Sequence, residues 1–269
     1  MIRLHRTHEM DAQKRRVEIA RFISEHDGAD VMMLAKHFSV SPMTIRRDRK
    51  ILASQNKIAA THGGAVPVAY LYGEPPYSQK VNVSIEKKRA IAQEAAKLVV
   101  DNSCIFLDSG TTTLELAKLL FHRRLSVVTV DLHIALLLSR SPTVKVFTPG
   151  GEVDGEMQGQ LDIHAVEYVK SINSSMAFIG SAVWDPQKGV SCSTVAKQAI
   201  KKALIEQTEK PVLLADSTKF GLCNPWTVAD LSAFSYIVTD EELSEENRKA
   251  VSRFGGGLMV VKINHRRDR

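Results

Sequence analysis

The chain has 269 residues, of which 44% are hydrophobic and 25% charged, a composition typical of globular proteins that excludes a mostly disordered or a collagen-like chain. No run approaches the ~18 consecutive apolar residues of a membrane span, and the opening stretch, MIRLHRTHEMDAQKRR, has no apolar core of signal-peptide length. We therefore expect a cytoplasmic protein without a membrane partner.

The net charge of +6 is concentrated near the amino terminus. Residues 1–60 contain twelve Lys or Arg and seven Asp or Glu, so they hold five of the six excess positive charges. A phosphate backbone is attracted to such a segment, although a solvated basic face would have the same composition.

Three short helices are predicted in these sixty residues. Apolar residues recur at a helical spacing within 16–24, and an aspartate suited to cap a helix precedes a second one at 31–38. The Ser41-Pro42 pair begins a third helix at 43–53, with serine as its cap and proline at the first helical position, where its missing N–H costs nothing.

The third helix is the candidate nucleic-acid contact. Ile45 and Leu52, seven residues apart, can face inward, which leaves polar and basic side chains outward. A helix, a short turn and a helix with such a face form a helix-turn-helix, whose second helix fits the major groove. The candidate DNA-binding residues are Ser41, Met43, Thr44, Arg46, Arg47 and Lys50, with Thr44 and Arg47 expected nearest the base edges. Residues 57–64, which include His62, suit a small β-hairpin or wing.

The rest of the chain is organised differently. Residues 66–83 hold three prolines and a glycine and predict a linker. Helices and short β-branched strands then alternate, which favours an α/β fold with a mostly parallel sheet. Predicted strands lie at 104–107, 126–130, 144–147, 176–179, 212–215, 236–238 and 258–261. Predicted helices lie at 84–100, 114–121, 134–139, 195–207 and 243–254. The expected domains are a winged helix-turn-helix at 1–65 and an α/β domain at 84–269.

Polar residues and glycines follow the predicted strands, at the edge where such sheets bind ligands. The clearest case is DSGTTT at 108–113, where glycine permits a close turn and the start of a helix offers N–H groups to an anion; a capped helix without a ligand is the alternative. In a second segment, Asp216 could accept from sugar hydroxyls and Lys219 could hold an anion, although an isolated surface salt bridge would look the same. The candidate effector-binding residues are Asp108, Ser109, Gly110, Thr111, Thr112, Thr113, Gly150, Gly151, Gly180, Asp216 and Lys219.

Several catalytic and metal motifs are absent from the sequence. The chain has no P-loop, GxGxxG, HExxH or GxSxG motif. Its three cysteines lie far apart without a CxxC pair, which argues against a disulfide framework and a cysteine zinc site.

Two sets of motifs follow one another in order along the chain. The first comprises VSPMTIRRD at 40–48 and HGGA at 62–65. The second comprises KRAIA at 88–92, FLDSGTT at 106–112, the glycine pair 150–151 and ADSTKFG at 215–221. In this order and spacing they resemble the DeoR family of bacterial transcription regulators over nearly the whole chain.

This resemblance implies a winged helix-turn-helix joined to an α/β sensor domain related to sugar-phosphate isomerases. It further implies a homo-oligomer that binds double-stranded operator DNA and represses an operon of carbohydrate use. A phosphorylated sugar, or a related anionic metabolite, would relieve the repression. The protein would then be no enzyme and would need no cofactor or metal.

Three positions depart from the family pattern. Arg49 replaces a usual leucine close to the inward face, so either its stem packs while its head reaches water or the helix is rotated. Val130-Asp131 stands where Thr-Asn is usual. Lys197 replaces a carboxylate that could bind sugar hydroxyls, which favours a different or more anionic effector.

Two other interpretations remain open. A sugar-phosphate isomerase with a DNA-binding appendage could use Lys219 and Asp216 for proton transfer, but Lys197 occupies the place of a second carboxylate. An activator, or a sensor of a non-sugar anion, could use the same scaffold.

Overall fold

The computed structural model describes residues 12–26, 28–55, 57–61, 63–67, 77–254 and 256–263. The chain divides into two compact units with a boundary between Val68 and Ala69.

The described residues of the amino-terminal unit form three helices and a three-stranded antiparallel sheet. The helices are α1 (Ala12–Glu25), α2 (Val31–His37) and α3 (Pro42–Ser54), and the strands are β1 (Ala29–Asp30), β2 (Ile58–Ala60) and β3 (Gly64–Pro67), in the order β1-β3-β2. The expected capping of α3 is confirmed, because Ser41 Oγ accepts from the Thr44 amide at 3.1 Å. Ile45 and Leu52 are both buried in the core, as their spacing predicts.

Strands β2 and β3 and the turn between them form the wing. They pair antiparallel, with Ala60 opposite Ala65, so the hairpin expected from the sequence is present. His62, which the prediction placed in its turn, lies outside the described residues.

The carboxy-terminal unit is built on a seven-stranded parallel sheet in the order β15-β14-β12-β9-β4-β5-β6. These strands are β4 (Cys104–Leu107), β5 (Leu125–Thr129), β6 (Val144–Phe147), β9 (Met176–Gly180), β12 (Pro211–Leu214), β14 (Tyr236–Asp240) and β15 (Gly257–Val261). All adjacent pairs are parallel, which confirms the predicted fold class.

Helices cover both faces of this sheet. The described helices of this unit are α4 (Tyr77–Lys80), α5 (Ile85–Leu98), α6 (Thr111–Leu120), α7 (Leu132–Leu138), α8 (Ile163–Lys170), α9 (Val195–Glu206) and α10 (Glu245–Phe254). Strand residues alternate between two buried clusters: Phe106 belongs to one, and its neighbours Ile105 and Leu107 belong to the other. The strands are therefore buried on both sides, as parallel sheets require.

Some elements were not expected from the sequence. Helix α8 begins at its cap Asp162, and short strands form the hairpin β7 (Val153–Asp154) and β8 (Gly159–Gln160) and the small antiparallel sheet β10 (Val183–Asp185), β11 (Gly189–Cys192) and β13 (Trp226–Ala229). The short strands have no extended apolar pattern, because tertiary pairing rather than local periodicity determines them. Helix α8 does have a local signal, since Asp162 caps it and Ala165, Val166 and Val169 are buried, and the sequence interpretation missed it.

The structure differs from the predicted 66–83 linker at both edges. Pro67 ends strand β3, and Tyr77–Lys80 forms helix α4, with both Tyr77 and Lys80 buried. A high content of proline and glycine predicts that a segment connects two units. It does not predict at which residue the packed structure on either side begins. Residues 68–76 lie outside the described residues.

No helix in the described part of the chain is long and apolar enough to cross a membrane.

Candidate functional site

The outward face of α3 carries four of the six predicted DNA-binding residues. Met43, Arg46, Arg47 and Lys50 are all exposed, and their spacing of three, four and seven residues places them on one side of the helix. The opposite side, Ile45 with Leu52, is buried. The helix therefore presents a continuous basic face.

Ser41 and Thr44 have a structural role at the start of α3. Their hydroxyl oxygens lie 2.9 Å apart, and Ser41 also caps the helix. Ser41 is exposed and Thr44 half-buried. Thr44 is thus less accessible than Arg47, with which the sequence analysis grouped it.

A buried carboxylate fixes α3 against α1. Asp48 is 2% exposed and accepts from Arg15 Nε at 2.7 Å and from Arg16 Nε at 2.9 Å. A lone buried carboxylate is unfavourable, and two guanidinium partners compensate it. Sequence reasoning missed this role of Asp48.

Arg49 connects α3 to the wing. Its Nη1 donates to the carbonyl oxygens of Thr61 at 3.1 Å and Gly64 at 3.0 Å. Burial and then the neighbouring Arg46 lower the pKa of Arg49. The rotation of α3 offered from the sequence is wrong, because Ile45 and Leu52 keep their inward orientation. Arg49 is half-buried, and its Nη1 binds the backbone carbonyl oxygens of the wing.

A cavity of about 50 Å³ lies where β4 and β9 end. Seven of the predicted effector-binding residues line it: Asp108, Ser109, Gly110, Thr111, Thr112, Gly180 and Lys219. The other lining residues are Lys80, Met157, Leu161, Ser181, Ala182, Lys197, Ile200 and Lys201.

Four predicted residues do not line this cavity. Thr113 donates to the Gly110 carbonyl oxygen at 2.7 Å and is fully buried. Gly150 and Gly151 have φ of +81° and +96°, and a Cβ at Gly151 would collide with the carboxylate of Asp162. These glycines serve a turn. Asp216 lies buried next to Lys219, outside the cavity lining.

The first turn of α6 has no side-chain cap. Gly110 occupies the cap position with φ of +154°, and no side chain there accepts from the helix N–H groups. The amide of Gly110 donates instead to Asp131 Oδ2 at 3.1 Å, as does the Ser109 hydroxyl. The start of α6 therefore turns uncapped N–H groups toward a cavity, an arrangement suited to an anion.

Asp131 holds this loop in place. Besides its bonds to Ser109 and Gly110, it caps α7 by accepting from the His133 and Ile134 amides at 2.8 and 3.1 Å. Burial raises the pKa of Asp131, while these amide bonds act in the opposite direction. Asp131, which departs from the family pattern, therefore supports the loop at 109–110. Asp131 itself does not line the cavity.

The carboxylate of Asp108 is bonded to a buried lysine, Lys201. Its Oδ2 accepts from Lys201 Nζ and from the Gly180 amide at 3.0 Å, and Lys201 also donates to the Gly180 carbonyl oxygen at 2.7 Å. Burial raises the pKa of Asp108, and the Lys201 ammonium opposes this. Sequence reasoning did not select Lys201, which is 93 residues from Asp108.

Lys219 and Asp216 form a buried ion pair. Lys219 Nζ lies 3.3 Å from Asp216 Oδ2, and both side chains are nearly inaccessible. The surface salt bridge considered as an alternative is therefore wrong. Burial alone would raise the pKa of Asp216, but Lys219 and Lys87 together hold it well below its ordinary value.

Two more lysines reach the cavity. Lys197 belongs to the first turn of α9, and contacts of its Nζ include Ser193 Oγ at 3.2 Å. Lys80 ends α4, and its Nζ lies 3.6 Å from Met157 Sδ. Among the described residues, no group of three or more His, Cys, Asp or Glu is placed to hold a metal ion.

Comparisons with known proteins match both units. A profile described as the DeoR-like helix-turn-helix domain matches residues 15–69, and one described as the DeoR C terminal sensor domain matches residues 83–241. The chain is 33% identical over 250 residues to YgbI of Escherichia coli, named an uncharacterized HTH-type transcriptional regulator, covering 93% of this chain and 98% of the relative.

Two further relatives are named repressors. The glycerol-3-phosphate regulon repressor of Escherichia coli is 28% identical over 86% of this chain and 92% of its own. The transcriptional repressor GlcR of Bacillus subtilis is 26% identical over 96% and 100%. Among solved structures, ribose 5-phosphate isomerase A from Neisseria gonorrhoeae aligns with 49% of this chain and 52% of its own, at 18% identity and a TM-score of 0.37.

Proposed function

The chain belongs to the DeoR family of helix-turn-helix transcriptional regulators, and from this premise we propose that it represses an operon of carbohydrate use until a phosphorylated sugar binds its carboxy-terminal unit. The observation that carries the proposal is the cavity at the strand ends, where the uncapped start of α6 and several lysines line one small space. Two relatives named as repressors support the direction of regulation.

Operator binding is assigned to α3 and its cap. Arg47 and Thr44 would contact base edges, and Ser41, Met43, Arg46 and Lys50 would contact mostly phosphates, which position the helix without reading sequence. The exposure of Met43, Arg46, Arg47 and Lys50 supports this assignment. Double-stranded operator DNA is the proposed partner.

Effector binding is assigned to residues 109–112 and Lys219. A phosphate would accept from the first N–H groups of α6 and from the threonine hydroxyls, and the Lys219 ammonium would balance its charge. Gly110 allows the backbone to approach the ligand, because its φ of +154° is rarely adopted by other residues.

Regulation by this ligand needs a response within the carboxy-terminal unit. Helix α4 is placed to respond, because its Lys80 lines the cavity and the ring of Tyr77 stacks on His133 at 4.0 Å. We propose that ligand binding alters how two DNA-binding units of a homo-oligomer are spaced. The effector must then bind the DNA-competent and DNA-incompetent states with different affinity.

Catalysis is not part of the proposal. A general base should have a pKa near the working pH, whereas the pKa of Asp216 is held far below neutrality. The carboxylate that lines the cavity, Asp108, is bonded to Lys201. Relatives that match more than nine-tenths of this chain are named as regulators.

A thermal-shift screen of phosphorylated sugars tests the effector site. A ligand at 100 times its Kd should stabilise the protein by about 2.7 kcal/mol, and Lys219→Ala and Thr112→Ala should each abolish the shift. Lys145→Ala, at an exposed lysine on β6 outside the cavity, is the control and should keep it. Failure of every tested sugar phosphate to bind would remove the effector from the proposal.

A further inference from the structure

The cavity at the strand ends is small compared with a sugar phosphate. Its volume is about 50 Å³, and one water-sized group requires roughly 10–15 Å³. The cavity therefore holds roughly three to five such groups, which is about the size of a single phosphate. If that phosphate lies at residues 109–112, the carbon chain of the ligand must take space that side chains of the wall now fill.

Most of the wall belongs to the framework of the unit. Residues 108–112 follow β4 and begin α6, and residues 180–182 lie at the end of β9, the neighbour of β4 in the middle of the sheet. The Gly180 amide and Lys201 of α9 both donate to Asp108 Oδ2, which joins these parts to one another. A displacement here would disturb the central strands.

Met157 comes from a smaller element, the hairpin of β7 and β8. Each of its strands has two residues, and the Gln160 amide attaches it to the Val130 carbonyl oxygen at 2.8 Å. A Cβ at Gly159 would lie 3.1 Å from the same oxygen and 3.5 Å from Ser109 Oγ. The hairpin therefore lies directly against the start of the proposed phosphate site.

The side chain of Met157 is buried where the hairpin meets α4. It is 6% exposed, and its Sδ lies 3.6 Å from Lys80 Nζ. Its amide donates to Asp154 Oδ1 at 2.7 Å, which holds the backbone of the turn. Methionine is unbranched and has three rotatable bonds, so its side chain changes shape more readily than the branched Leu161 and Ile200 of the same wall.

The lysines of the described wall also have flexible side chains, but each takes part in a polar interaction. The contacts include Lys197 with Ser193 Oγ, Lys201 with Asp108, and Lys219 with Asp216. A thioether sulfur is only a weak hydrogen-bond acceptor. Displacing the Met157 side chain therefore costs less than moving an ammonium group away from its partner.

Resting on the proposed function, we propose that Met157 determines the length of the effector, which is a phosphorylated sugar or polyol of three or four carbons. The phosphate occupies the space at residues 109–112, and the carbon chain takes the place of the Met157 thioether. The side-chain atoms beyond the Met157 Cβ fill the space of roughly three water-sized groups. Their displacement makes room for a short chain, whereas five or six carbons would collide with the rest of the wall.

A series of ligands that differ by one CHOH group tests the length limit, with calorimetry on the full-length protein. The series is glycerol 3-phosphate, erythritol 4-phosphate, ribitol 5-phosphate and glucitol 6-phosphate, and aldose phosphates of the same lengths are measured in parallel. The lowest Kd should belong to a ligand of three or four carbons. At six carbons the Kd should be roughly ten-fold higher or more, because the longer chain overfills the space.

Variants at position 157 assign the limit to this residue. Met157→Ala should lower the Kd of ribitol 5-phosphate and glucitol 6-phosphate roughly ten-fold or more, because it enlarges the cavity. Met157→Leu conserves the volume and should keep the wild-type order of lengths. Val153→Ala is the matched control, since Val153 is 46% exposed on the same hairpin and does not line the cavity. Thermal melting of each variant shows that it is folded.

A measurement on the wild-type protein needs no substitution in the wall. The methionine methyl groups are labelled with ¹³C, and Met157→Leu identifies the Met157 signal among the eight methionines. Glycerol 3-phosphate should shift this signal, whereas inorganic phosphate should shift it much less, because the phosphate alone fits the existing space. An unmoved Met157 signal with every carbon-containing ligand that binds would contradict the displacement.

The binding results distinguish this inference from the proposed function. Equal Kd values for three to six carbons overturn the length limit and leave the proposed function intact. A limit that persists unchanged in folded Met157→Ala overturns the role of Met157. If no phosphorylated polyol or aldose binds, the proposed effector site fails together with this inference.

Discussion

Arg46 and Arg47 project from the exposed face of α3 while Asp48, the next residue, is buried between Arg15 and Arg16. The side chains proposed to contact DNA therefore lie on a helix whose opposite face is held by the ion pairs of Asp48 and by the buried Ile45 and Leu52. Because the buried face holds the helix in place, truncation of a single exposed side chain should have little effect on folding.

Arg47→Ala should weaken operator binding by roughly 1–3 kcal/mol if Arg47 makes a bidentate base contact. The measurement is fluorescence anisotropy with a duplex that the protein selects from a random pool, at moderate salt. Arg21→Ala is the control, because Arg21 is an exposed arginine of α1 that pairs with Glu18. Full affinity in Arg47→Ala would show that the proposed orientation of α3 on DNA is wrong.

Arg49→Leu should loosen the wing. The substitution removes two charged hydrogen bonds to the Thr61 and Gly64 carbonyl oxygens, each worth about 1.5–3 kcal/mol at most, although leucine restores apolar packing. Amide hydrogen exchange in β2 and β3 should accelerate relative to the last turn of α2, where the amide of Phe38 donates within the helix to the Leu34 carbonyl oxygen. Unchanged exchange in the wing would contradict the role given to Arg49.

Asp216 should make stability depend on pH. Its folded-state pKa lies below that of the unfolded chain because of Lys219 and Lys87, so its contribution is present above about pH 4 and is lost as the pH falls further. The Tm difference between wild type and Asp216→Asn should therefore be largest near neutrality and shrink below about pH 4. A difference that stays constant from pH 7 to the acid limit would refute this.

At the scale of elements, most helices and strands that have a local sequence signal could be predicted, whereas those without such a signal could not. Ser41-Pro42 is a strong helix start, and α3 begins there; the parallel strands are β-branched runs, and each is found. The sheet β10-β11-β13 depends on partners distant in the chain, as Ser191 opposite Thr227 illustrates, whereas α8 has a local start signal in its cap Asp162 that was missed. Local periodicity contains no information on such pairings.

The wing requires glycine at position 64, where its backbone comes close to the backbone of Ala29. Gly64 pairs with Asp30 between β3 and β1, and a Cβ there would collide with the Ala29 carbonyl oxygen, whereas a Cβ at Gly63 would meet open space. Gly64→Ala should therefore lower the stability of the amino-terminal unit and its DNA affinity, while Gly63→Ala should leave both nearly unchanged. Circular dichroism melting and anisotropy measure the two effects, and equal behaviour of the two variants would contradict the packing described.

At the scale of the whole molecule, the chain separates two tasks into two units. The charge excess of residues 1–60 could be read from the sequence, and so could the loop at 108–113. Lys80 and Lys201 could not, because they come from α4 and α9, far apart in the chain, and meet only in the folded unit. Lys197 was indicated only by the family resemblance. Burial of a lysine has no local sequence signal.

The central claim is that occupancy of the cavity controls DNA binding by α3, and one titration tests it most directly. Anisotropy of the selected duplex is measured with the full-length chain, with and without a saturating amount of whichever phosphorylated sugar gives a thermal shift. We expect the ligand to weaken DNA binding by roughly 5–150-fold in wild type and Lys145→Ala, and to have no effect in Lys219→Ala. A wild-type protein that binds the ligand tightly and keeps its DNA affinity would contradict the account.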